Sequence, residues 1–353
     1  MVKIHEKYIN RCIELAENGL GSTYPNPVVG SVLVYKDKII GEGWHRRAGD
    51  AHAEVNAIKS VKEKHLIKKA TIYVSLEPCS HFGKTPPCCD LIIASGIKKV
   101  VIGTIDPFAK VAGKGVKKLL DAGCEVIVGI EEAKCRDLNK RFFTFHQKKR
   151  PYIVLKWARS QDGFIAPLIR DLREPLWISN DLSRQLVHKW RSEEQAILIG
   201  TNTAVADNPR LNTRLWAGNN PVRVLLDSSL RVPHSSFIND GSIKTIIICD
   251  KGQSIQTGKS IDKPNIIYSE IDFNAEITSQ IIEEFYKLEI QSVIIEGGTK
   301  TLQTFIDAGV WDEARVFTGD VFLKDGIKGP DFKGKVAEEM MLGNDNLKIY
   351  KND

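Results

Sequence analysis

Long apolar runs are missing from this 353-residue sequence. Nowhere do about 18 consecutive apolar residues occur, roughly the length that a helix needs to cross a bilayer, so we expect no membrane span. The first thirty residues carry charges throughout and no apolar run, so we also expect no secretory signal. Internal repeats and low-complexity segments are absent as well, which leaves an ordinary globular chain.

Cysteine is present in a pattern that is poor for disulfides. The seven cysteines are an odd number, and Cys88 and Cys89 are adjacent. We therefore expect thiols in a reducing, cytoplasmic compartment. The formal net charge of +6 is mild. Such a charge is compatible with a phosphorylated small molecule but is weaker than a nucleic-acid-binding protein usually shows, so we expect no nucleic-acid partner.

The chain is too long for one typical core, which predicts two domains. Strand-like and helix-like patterns alternate along both halves, and this rhythm favours an α/β fold class. The segment Lys148–Pro151 separates the two patterns, so we place the domains at residues 1–148 and 149–353. The pattern also predicts one charged helix over 131–149, a strand over 314–322 and a short last strand over 347–350.

The clearest chemistry is carried by His52, Glu54, Cys79 and Cys88. One imidazole and two thiolates bind Zn²⁺ tetrahedrally and leave the fourth position for water, as a hydrolytic zinc site requires. Glu54 is not needed as a ligand, so it can move protons between water and an amine leaving group. This combination is typical of zinc nucleobase deaminases. Eight residues separate Cys79 from Cys88, however, so the usual C-x-x-C pattern is absent.

Each of these residues taken alone has a less specific interpretation. A single histidine is commonly structural, and a single cysteine is commonly a small buried hydrophobe. Their combination favours a catalytic zinc. The alternative is a structural zinc with four protein ligands, for which His81 is the candidate. Cys89 points about 100° away from Cys88 around a helix, so we assign it to packing.

Three further residues of the first half are predicted to shape the pocket. Asn26 lies between two prolines, and its amide can donate and accept hydrogen bonds together, which suits the edge of a pyrimidine. A turn-capping asparagine is the alternative. His45 and Lys84 belong to basic segments that supply cations for a phosphate or a ribose.

The second half carries weaker patterns. Glu296 and the pair Gly297-Gly298 stand between a predicted strand and a predicted helix, where backbone N–H groups can face an anion such as a dinucleotide phosphate. The pattern is not the G-x-G-x-x-G fingerprint, and a Gly-Gly pair also simply turns a chain. Lys156 lies in an apolar strand, where a lysine more commonly extends its amine to solvent than takes part in a reaction.

The motifs around these residues resemble the bifunctional riboflavin biosynthesis family, a deaminase joined to a reductase. The first half carries this resemblance in the segments Tyr24–Gly30, Gly43–His45, His52–Glu54, Leu76–His81 and Gly83–Cys89. The second half carries it in Pro151–Lys156, Ser160–Gly163, Trp177–Ser179, Gly200–Leu211 and Glu296–Gly298. The resemblance implies a cytidine-deaminase-like α/β/α sandwich followed by a dihydrofolate-reductase-like α/β domain that uses NADPH.

The resemblance also implies roles for individual residues. In the first domain it implies zinc ligands at His52, Cys79 and Cys88, a proton donor at Glu54, and a pyrimidine contact at Asn26. In the second domain, the residues implied to line the reductive centre are Lys156, Asp207 and Glu296. Those implied to border the cofactor are Ala158, Trp177, Thr203, Asp207 and Gly298. Those implied to approach the substrate are Arg191, Leu211, Arg214 and Glu296.

The sequence departs from the family pattern in one loop. The family usually has a serine two residues before the tryptophan, and this chain has Pro175, which offers no hydroxyl. Segment 166–174 is also longer than usual. The departure affects the substrate contacts of this loop and leaves the zinc residues unchanged.

The resemblance implies two consecutive reactions. The first hydrolyses the 2-amino group of 2,5-diamino-6-(5-phosphoribosylamino)pyrimidin-4(3H)-one, and the second uses NADPH to reduce the ribosyl chain to ribityl. We expect a homo-oligomer acting on this phosphorylated pyrimidine, with no membrane partner. Two other functions stay open: a nucleic-acid-editing deaminase, which would need a basic stripe with exposed aromatics, and a non-catalytic zinc scaffold, which would need four protein ligands and no role for Glu54.

Overall fold

The computed structural model describes residues 2–82, 86–108, 112–168, 177–253 and 263–352. The chain divides into two compact units, Met1–Lys149 and Arg150–Asp353. Lys84 and Pro175, which entered the sequence analysis, lie outside the described residues. Within the described ranges, no helix combines the length and the apolar character that crossing a membrane requires.

The first unit is built on a five-stranded sheet. Its strands are β1 (Gly30–Tyr35), β2 (Lys38–Trp44), β3 (Thr71–Leu76), β4 (Lys99–Thr104) and β5 (Glu125–Val128), in the spatial order β2-β1-β3-β4-β5. β1 is antiparallel to both β2 and β3, whereas β3, β4 and β5 are parallel. The helices are α1 (Val2–Glu17), α2 (Ala53–Ser60), α3 (Cys88–Ala94), α4 (Lys114–Asp121), α5 (Glu132–Leu138) and α6 (Lys140–Lys148).

Apolar side chains point to both faces of this sheet, since successive residues of a strand alternate between its two sides. On one face, Tyr8 and Cys12 of α1 pack with Val32 of β1. On the other face, Leu33 of the same strand joins a cluster that includes Ala57 of α2 and residues of α3 and α4. Helices therefore cover both faces, and the predicted α/β/α sandwich is confirmed.

The prediction of one helix over 131–149 is wrong, because the helix is interrupted at Asn139 and becomes α5 and α6. The Asn139 side chain binds the backbone of Val28, near the start of β1. Its Oδ1 accepts the Val28 N–H at 2.9 Å, and its Nδ2 donates to the Val28 carbonyl at 2.9 Å. This pairing mimics a strand partner and ties the end of the unit to the segment that carries Asn26.

A buried carboxylate connects the end of β3 to the start of α4. Glu77, which is 4 % exposed, accepts backbone N–H groups with both oxygens. Oε2 accepts from Asp106 and Gly113 at 3.2 and 3.0 Å, and Oε1 accepts from Gly115 and Val116 at 2.8 and 3.1 Å. Three of these bonds, from Gly113, Gly115 and Val116, satisfy N–H groups at the start of α4, where no backbone acceptor is available, and the fourth holds the loop at Asp106.

The second unit is built on a nine-stranded sheet. Its strands are β6 (Tyr152–Arg159), β8 (Ala196–Gly200), β9 (Val222–Leu226), β10 (Thr245–Asp250), β11 (Ile266–Ile271), β12 (Ser292–Ile295), β13 (Glu313–Thr318), β15 (Val336–Leu342) and β16 (Asp345–Lys351). Their order is β11-β10-β9-β8-β12-β6-β13-β16-β15, and the pairs from β11 to β13 are parallel. Two short strands, β7 (Phe164–Ala166) and β14 (Ile327–Lys328), pair separately.

Helices cover both faces of this sheet as well. They are α7 (Asp181–Glu193), α8 (Thr201–Asp207), α9 (Ile277–Lys287) and α10 (Thr299–Asp307). Phe285 of α9 and Phe305 of α10 are buried on one face with Leu155. Trp190 of α7 and Ala204 of α8 are buried on the other face. The predicted α/β class therefore holds for both units.

Two predictions near the end of the chain are wrong in extent. The strand predicted over 314–322 ends at Thr318, because Gly319 approaches the backbone carbonyl of Ile178 so closely that a Cβ there would lie 2.0 Å from its oxygen. The last strand is longer than predicted and pairs with β15, which the sequence analysis did not predict. β15 is exposed along most of its length, so it shows no buried apolar alternation.

We expect Glu77→Gln to destabilise the first unit. The amide places a donor against backbone N–H groups that are buried, and leaving a buried donor unsatisfied costs about 1–3 kcal/mol. Differential scanning calorimetry should show a Tm lower by about 2–12 °C, since 1 kcal/mol corresponds to about 2–4 °C in a domain of this size. Glu63→Gln is the matched control, because its side chain is 70 % exposed. Equal Tm values for the two variants would contradict the structural role of Glu77.

Candidate active sites

His52, Cys79 and Cys88 meet at the carboxyl end of β3. His52 is the N-cap residue of α2, Cys79 follows β3 by a short segment, and Cys88 opens α3 after Pro87. The side-chain donor atoms of the three residues all lie within 4.8 Å of one another. The Cys88 N–H donates to Cys79 Sγ at 3.2 Å, and such a bond at a helix start favours the thiolate.

The spacing of these atoms suits a tetrahedral zinc ion. His52 Nδ1 lies 3.6 Å from Cys79 Sγ and 3.3 Å from Cys88 Sγ. With Zn–N near 2.0 Å and Zn–S near 2.3 Å, tetrahedral ligands hold nitrogen and sulfur about 3.5 Å apart. Among the described residues, the candidate metal-binding group has these three members, which leaves a fourth ligand position.

The two other candidate ligands lie elsewhere. His81 is exposed and does not belong to the group of donor atoms. The Cys89 thiol is buried and donates to the carbonyls of Pro78 and Gly115 at 3.3 and 3.6 Å. Burial raises the pKa of Cys89 to about 12, so this thiol stays protonated and serves packing.

The pKa values of Cys79 and Glu54 shift in opposite directions, while the hydrogen bond with Cys79 raises the pKa of Cys88. The hydrogen bond from the Cys88 thiol lowers the pKa of Cys79 to about 4, and His52 acts in the same direction. Glu54 is 3 % exposed and lies in the first turn of α2. Burial raises the pKa of Glu54, with the Cys79 charge acting in the same direction. A carboxyl group with a raised pKa holds a proton more readily, as a general acid must.

Asn26 and His45 form a pair beside this cluster. Asn26 Nδ2 lies 3.1 Å from His45 Nε2, and His45 Nδ1 lies 3.2 Å from the Ala51 carbonyl. A carbonyl oxygen only accepts, so His45 carries its proton on Nδ1 and accepts from Asn26 at Nε2. The His45 ring also contacts the His52 ring at 5.3 Å, edge to face. The pair therefore adjoins the metal-ligand cluster.

A cavity of about 620 Å³ lies in the second unit, near the carboxyl ends of β8 and β12. Ligands commonly bind at this edge of open α/β sheets. The cavity brings together most of the residues that the sequence analysis assigned to cofactor and substrate. These are Lys156, Trp177, Arg191, Thr203, Asp207, Leu211, Arg214 and Glu296.

The Glu296 carboxylate forms ion pairs with two cations in this cavity, Arg191 and Lys156. It accepts Arg191 Nε at 2.9 Å and Nη2 at 2.7 Å, and Lys156 Nζ lies 3.7 Å from its Oε2. Although burial opposes ionisation, Arg191 and Lys156 lower the pKa of Glu296 to about 2. Burial lowers the pKa of Lys156, while Glu296 opposes this effect. The three groups form a buried charged cluster facing the cavity.

Two of the assigned residues lie beside the cavity and are not part of its lining. Gly298 is the N-cap residue of α10 and donates its N–H to Thr203 Oγ1 at 2.8 Å, so it adjoins a lining residue. Ala158 lies two residues after Lys156 in β6 and packs against a buried cluster on the same side of the strand. Gly298 is therefore hydrogen-bonded to a lining residue, whereas Ala158 is near one only along its strand.

The sequence analysis missed several cavity residues, above all on α7. Arg184, Val187, His188 and Arg191 line the cavity together, and their spacing places them on one face of a helix. With Arg191 already assigned, helical periodicity could have pointed to the other three. Arg210 and Phe237 also line the cavity, with the Arg210 guanidinium 3.8 Å from the centre of the Phe237 ring. Phe237 lies far from them in sequence, and no local pattern identifies it.

Comparison with known proteins matches each unit to a family model. The family model of the cytidine and deoxycytidylate deaminase zinc-binding region matches residues 2–104. The model of the RibD C-terminal domain matches residues 151–327. The zinc-ligand candidates thus lie within the first match, and all the residues that line the cavity lie within the second.

Relatives match almost the whole chain. Riboflavin biosynthesis protein RibD of Aquifex aeolicus is 40 % identical over 340 residues, which cover 96 % of this chain and 93 % of that protein. The crystal structure of a diaminohydroxyphosphoribosylaminopyrimidine deaminase/5-amino-6-(5-phosphoribosylamino)uracil reductase from Thermotoga maritima has a TM-score of 0.87 at 36 % identity, covering 99 % of both chains. RibD of Acinetobacter baumannii has a TM-score of 0.88 at 32 % identity, also covering 99 % of both. Because these matches span both units, the chain belongs to the family of the riboflavin biosynthesis protein RibD.

Proposed function

We propose that this protein catalyses two consecutive reactions of riboflavin biosynthesis. The first unit would deaminate 2,5-diamino-6-(5-phosphoribosylamino)pyrimidin-4(3H)-one, and the second would reduce the ribosyl chain of the product with NADPH. The observation that carries the proposal is the occurrence, in one chain of this family, of three candidate zinc ligands beside a buried carboxyl group and of a cation-lined cavity.

In the deaminase unit, His52, Cys79 and Cys88 would hold the zinc. Bound zinc lowers the pKa of a coordinated water molecule to about 7. The Glu54 carboxylate would take a proton from the attacking water and deliver it to the departing ammonia. Its burial supports this role, because a raised pKa allows the carboxyl group to hold the proton between the two transfers. Asn26, oriented by His45, would contact the edge of the pyrimidine.

In the reductase unit, NADPH would supply the hydride. The start of α10 suits a cofactor phosphate, since helix N-termini present unpaired N–H groups to anions. A Cβ added to Gly298 would lie 3.1 Å from Thr203 Oγ1, so glycine keeps the approach to this helix start open. Ala158, Trp177 and Asp207 would border the same cofactor.

The substrate would lie in the same cavity, against Arg191, Leu211 and Arg214. Lys156 would favour the anionic substrate or assist proton transfer at the opening ribose ring. Glu296 would hold Lys156 and Arg191 in place as part of the same cluster. Lys84 remains a proposed substrate contact of the deaminase unit.

We further propose that the enzyme is a homo-oligomer in the cytoplasm. β15 forms one edge of the large sheet and exposes Met341, and exposed edge strands are suited to pairing with another chain. All seven cysteines are thiols, which suits a reducing compartment. Analytical ultracentrifugation of the full chain tests the first statement: a monomer at micromolar concentration would refute it.

We expect Cys79→Ala to lose zinc and Cys89→Ala to retain it. The two variants remove neighbouring buried or half-buried thiols, but only Cys79 belongs to the donor group. Inductively coupled plasma mass spectrometry of the purified proteins should find about one zinc per chain in the wild type and in Cys89→Ala, and little in Cys79→Ala. Full zinc content in Cys79→Ala would refute the ligand set.

We expect Glu54→Gln to bind zinc normally and to lose deamination. A neutral amide cannot carry protons, and loss of a general acid–base group typically slows a reaction by about 10²–10⁴-fold. Ammonia release from the pyrimidine substrate measures this step without NADPH. As an internal control, NADPH oxidation with previously deaminated substrate should match the wild type. Ammonia release near the wild-type rate would exclude the proposed role of Glu54.

We expect Lys156→Met to fold, to deaminate normally and to oxidise NADPH slowly with deaminated substrate. The substitution keeps the apolar stem of the side chain and removes only the ammonium group that faces Glu296. By the general acid–base estimate, reduction should slow by about 10²-fold or more. Lys189→Met, on the exposed part of α7, is the matched control. If Lys156→Met unfolds, or reduces substrate at the normal rate, a structural ion-pair cluster is the better explanation.

A further inference from the structure

The loop over residues 208–214 carries two proposed substrate contacts, Leu211 and Arg214. Part of its backbone adopts a conformation that non-glycine residues disfavour. Leu211 has φ of 50°, and Asn208 at the end of α8 has φ of 43°. Leucine rarely adopts this left-handed conformation, so the surrounding structure must hold the loop in place. Leu211 is 2 % exposed, and its side chain packs in a buried cluster. Arg214 is exposed, so packing alone does not fix the loop backbone at this residue.

Helix α7 holds this loop with two side chains. Arg191 Nη1 donates to the Asn212 carbonyl at 3.4 Å. His188 Nδ1 accepts the backbone N–H of Arg214 at 3.1 Å. His188 and Arg191 are three residues apart and therefore lie on the same helix face. His188 is 3 % exposed, and it lines the cavity together with Arg191 and Arg214.

The hydrogen bond requires a neutral histidine. An imidazolium donates from both nitrogens and would face the Arg214 N–H with another donor. Burial, together with Arg191 and Arg214, lowers the pKa of His188 to about 4, although Glu296 and the Asn212 carbonyl oppose this effect. The ring is therefore neutral at physiological pH, and its Nδ1 lone pair is available to Arg214.

The guanidinium end of Arg214 is also held. Its Nη1 donates to Asn212 Oδ1 at 3.1 Å. Asn212 is in turn held through its carbonyl by Arg191. His188 thus binds the backbone of Arg214, and Asn212 binds its side chain. Both contacts depend on one face of α7, because His188 belongs to that face and Arg191 on the same face binds Asn212. Partial desolvation, together with repulsion from Arg191, Arg210 and Arg184, lowers the pKa of Arg214, so the cluster of positive charges favours an incoming anion.

We propose that His188 is a positioning residue of the reductase reaction: it holds the Arg214 backbone so that the guanidinium group meets the phosphorylated substrate. The inference rests on the proposed reductase function, in which Arg214 approaches the substrate. His188 acts on substrate binding through Arg214 and takes no part in hydride or proton transfer. Its removal should therefore change the KM for the substrate much more than kcat.

Two nearly isosteric substitutions test this role. His188→Leu fills a similar volume without an acceptor, whereas Asn Oδ1 in His188→Asn can replace the Nδ1 acceptor. In NADPH-oxidation assays with deaminated substrate, His188→Leu should raise the KM for that substrate about tenfold, as expected for loss of one buried hydrogen bond. Its kcat and its KM for NADPH should stay near wild type. His188→Asn should restore most of the affinity. Equal KM values for the Leu and Asn variants would overturn the proposal.

A double-mutant cycle with Arg214→Gln shows whether His188 acts through Arg214. In the Arg214→Gln background, His188→Leu should raise the KM little further. A full additional tenfold rise there would overturn the proposal, because His188 would then act independently. Ammonia release and Tm serve as folding controls for every variant. Wild-type enzyme that fails to oxidise NADPH with deaminated substrate would refute the proposed function itself, a result distinct from any difference among variants.

Discussion

Parallel strand pairing is the constraint on which both sites depend. In each unit, parallel strands bring several strand ends and helix starts to one edge of a sheet. Cys79 follows β3 in the first unit, and Glu296 follows β12 in the second. Helix starts at the same edge supply unpaired N–H groups, which favour a thiolate or a phosphate. The chemistry of the two units differs, but the backbone provides both with the same kind of location.

Buried charge is the second feature that the two sites share. In the first unit, burial raises the pKa of the Glu54 carboxyl group, and Cys79 acts in the same direction. In the second unit, two cations surround Glu296, and its pKa falls to about 2. The same side-chain type thus suits proton transfer in one environment and charge compensation in the other. Environment decides the role, since desolvation favours the neutral form and adjacent cations favour the charged form.

Support from outside the reacting groups is visible in both units. The Asn139 side chain pairs with Val28 near the segment that carries Asn26, and Glu77 satisfies the start of α4 near the cysteine ligands. In the second unit, α7 holds the loop that carries Leu211 and Arg214. Functional side chains on loops are positioned accurately only when such contacts restrict the loop backbone.

The sequence by itself determined the α/β class and the set of candidate zinc ligands. The combination of His52, Cys79 and Cys88 was recognisable because metal binding needs particular residue types near strand and helix ends. Tertiary structure decided what local patterns do not encode. It interrupted the last helix of the first unit at Asn139, ended β13 against Ile178, and paired the exposed strand β15. It also placed His188 and Phe237 in one cavity, since contacts between distant segments depend on how strands are ordered in the sheet.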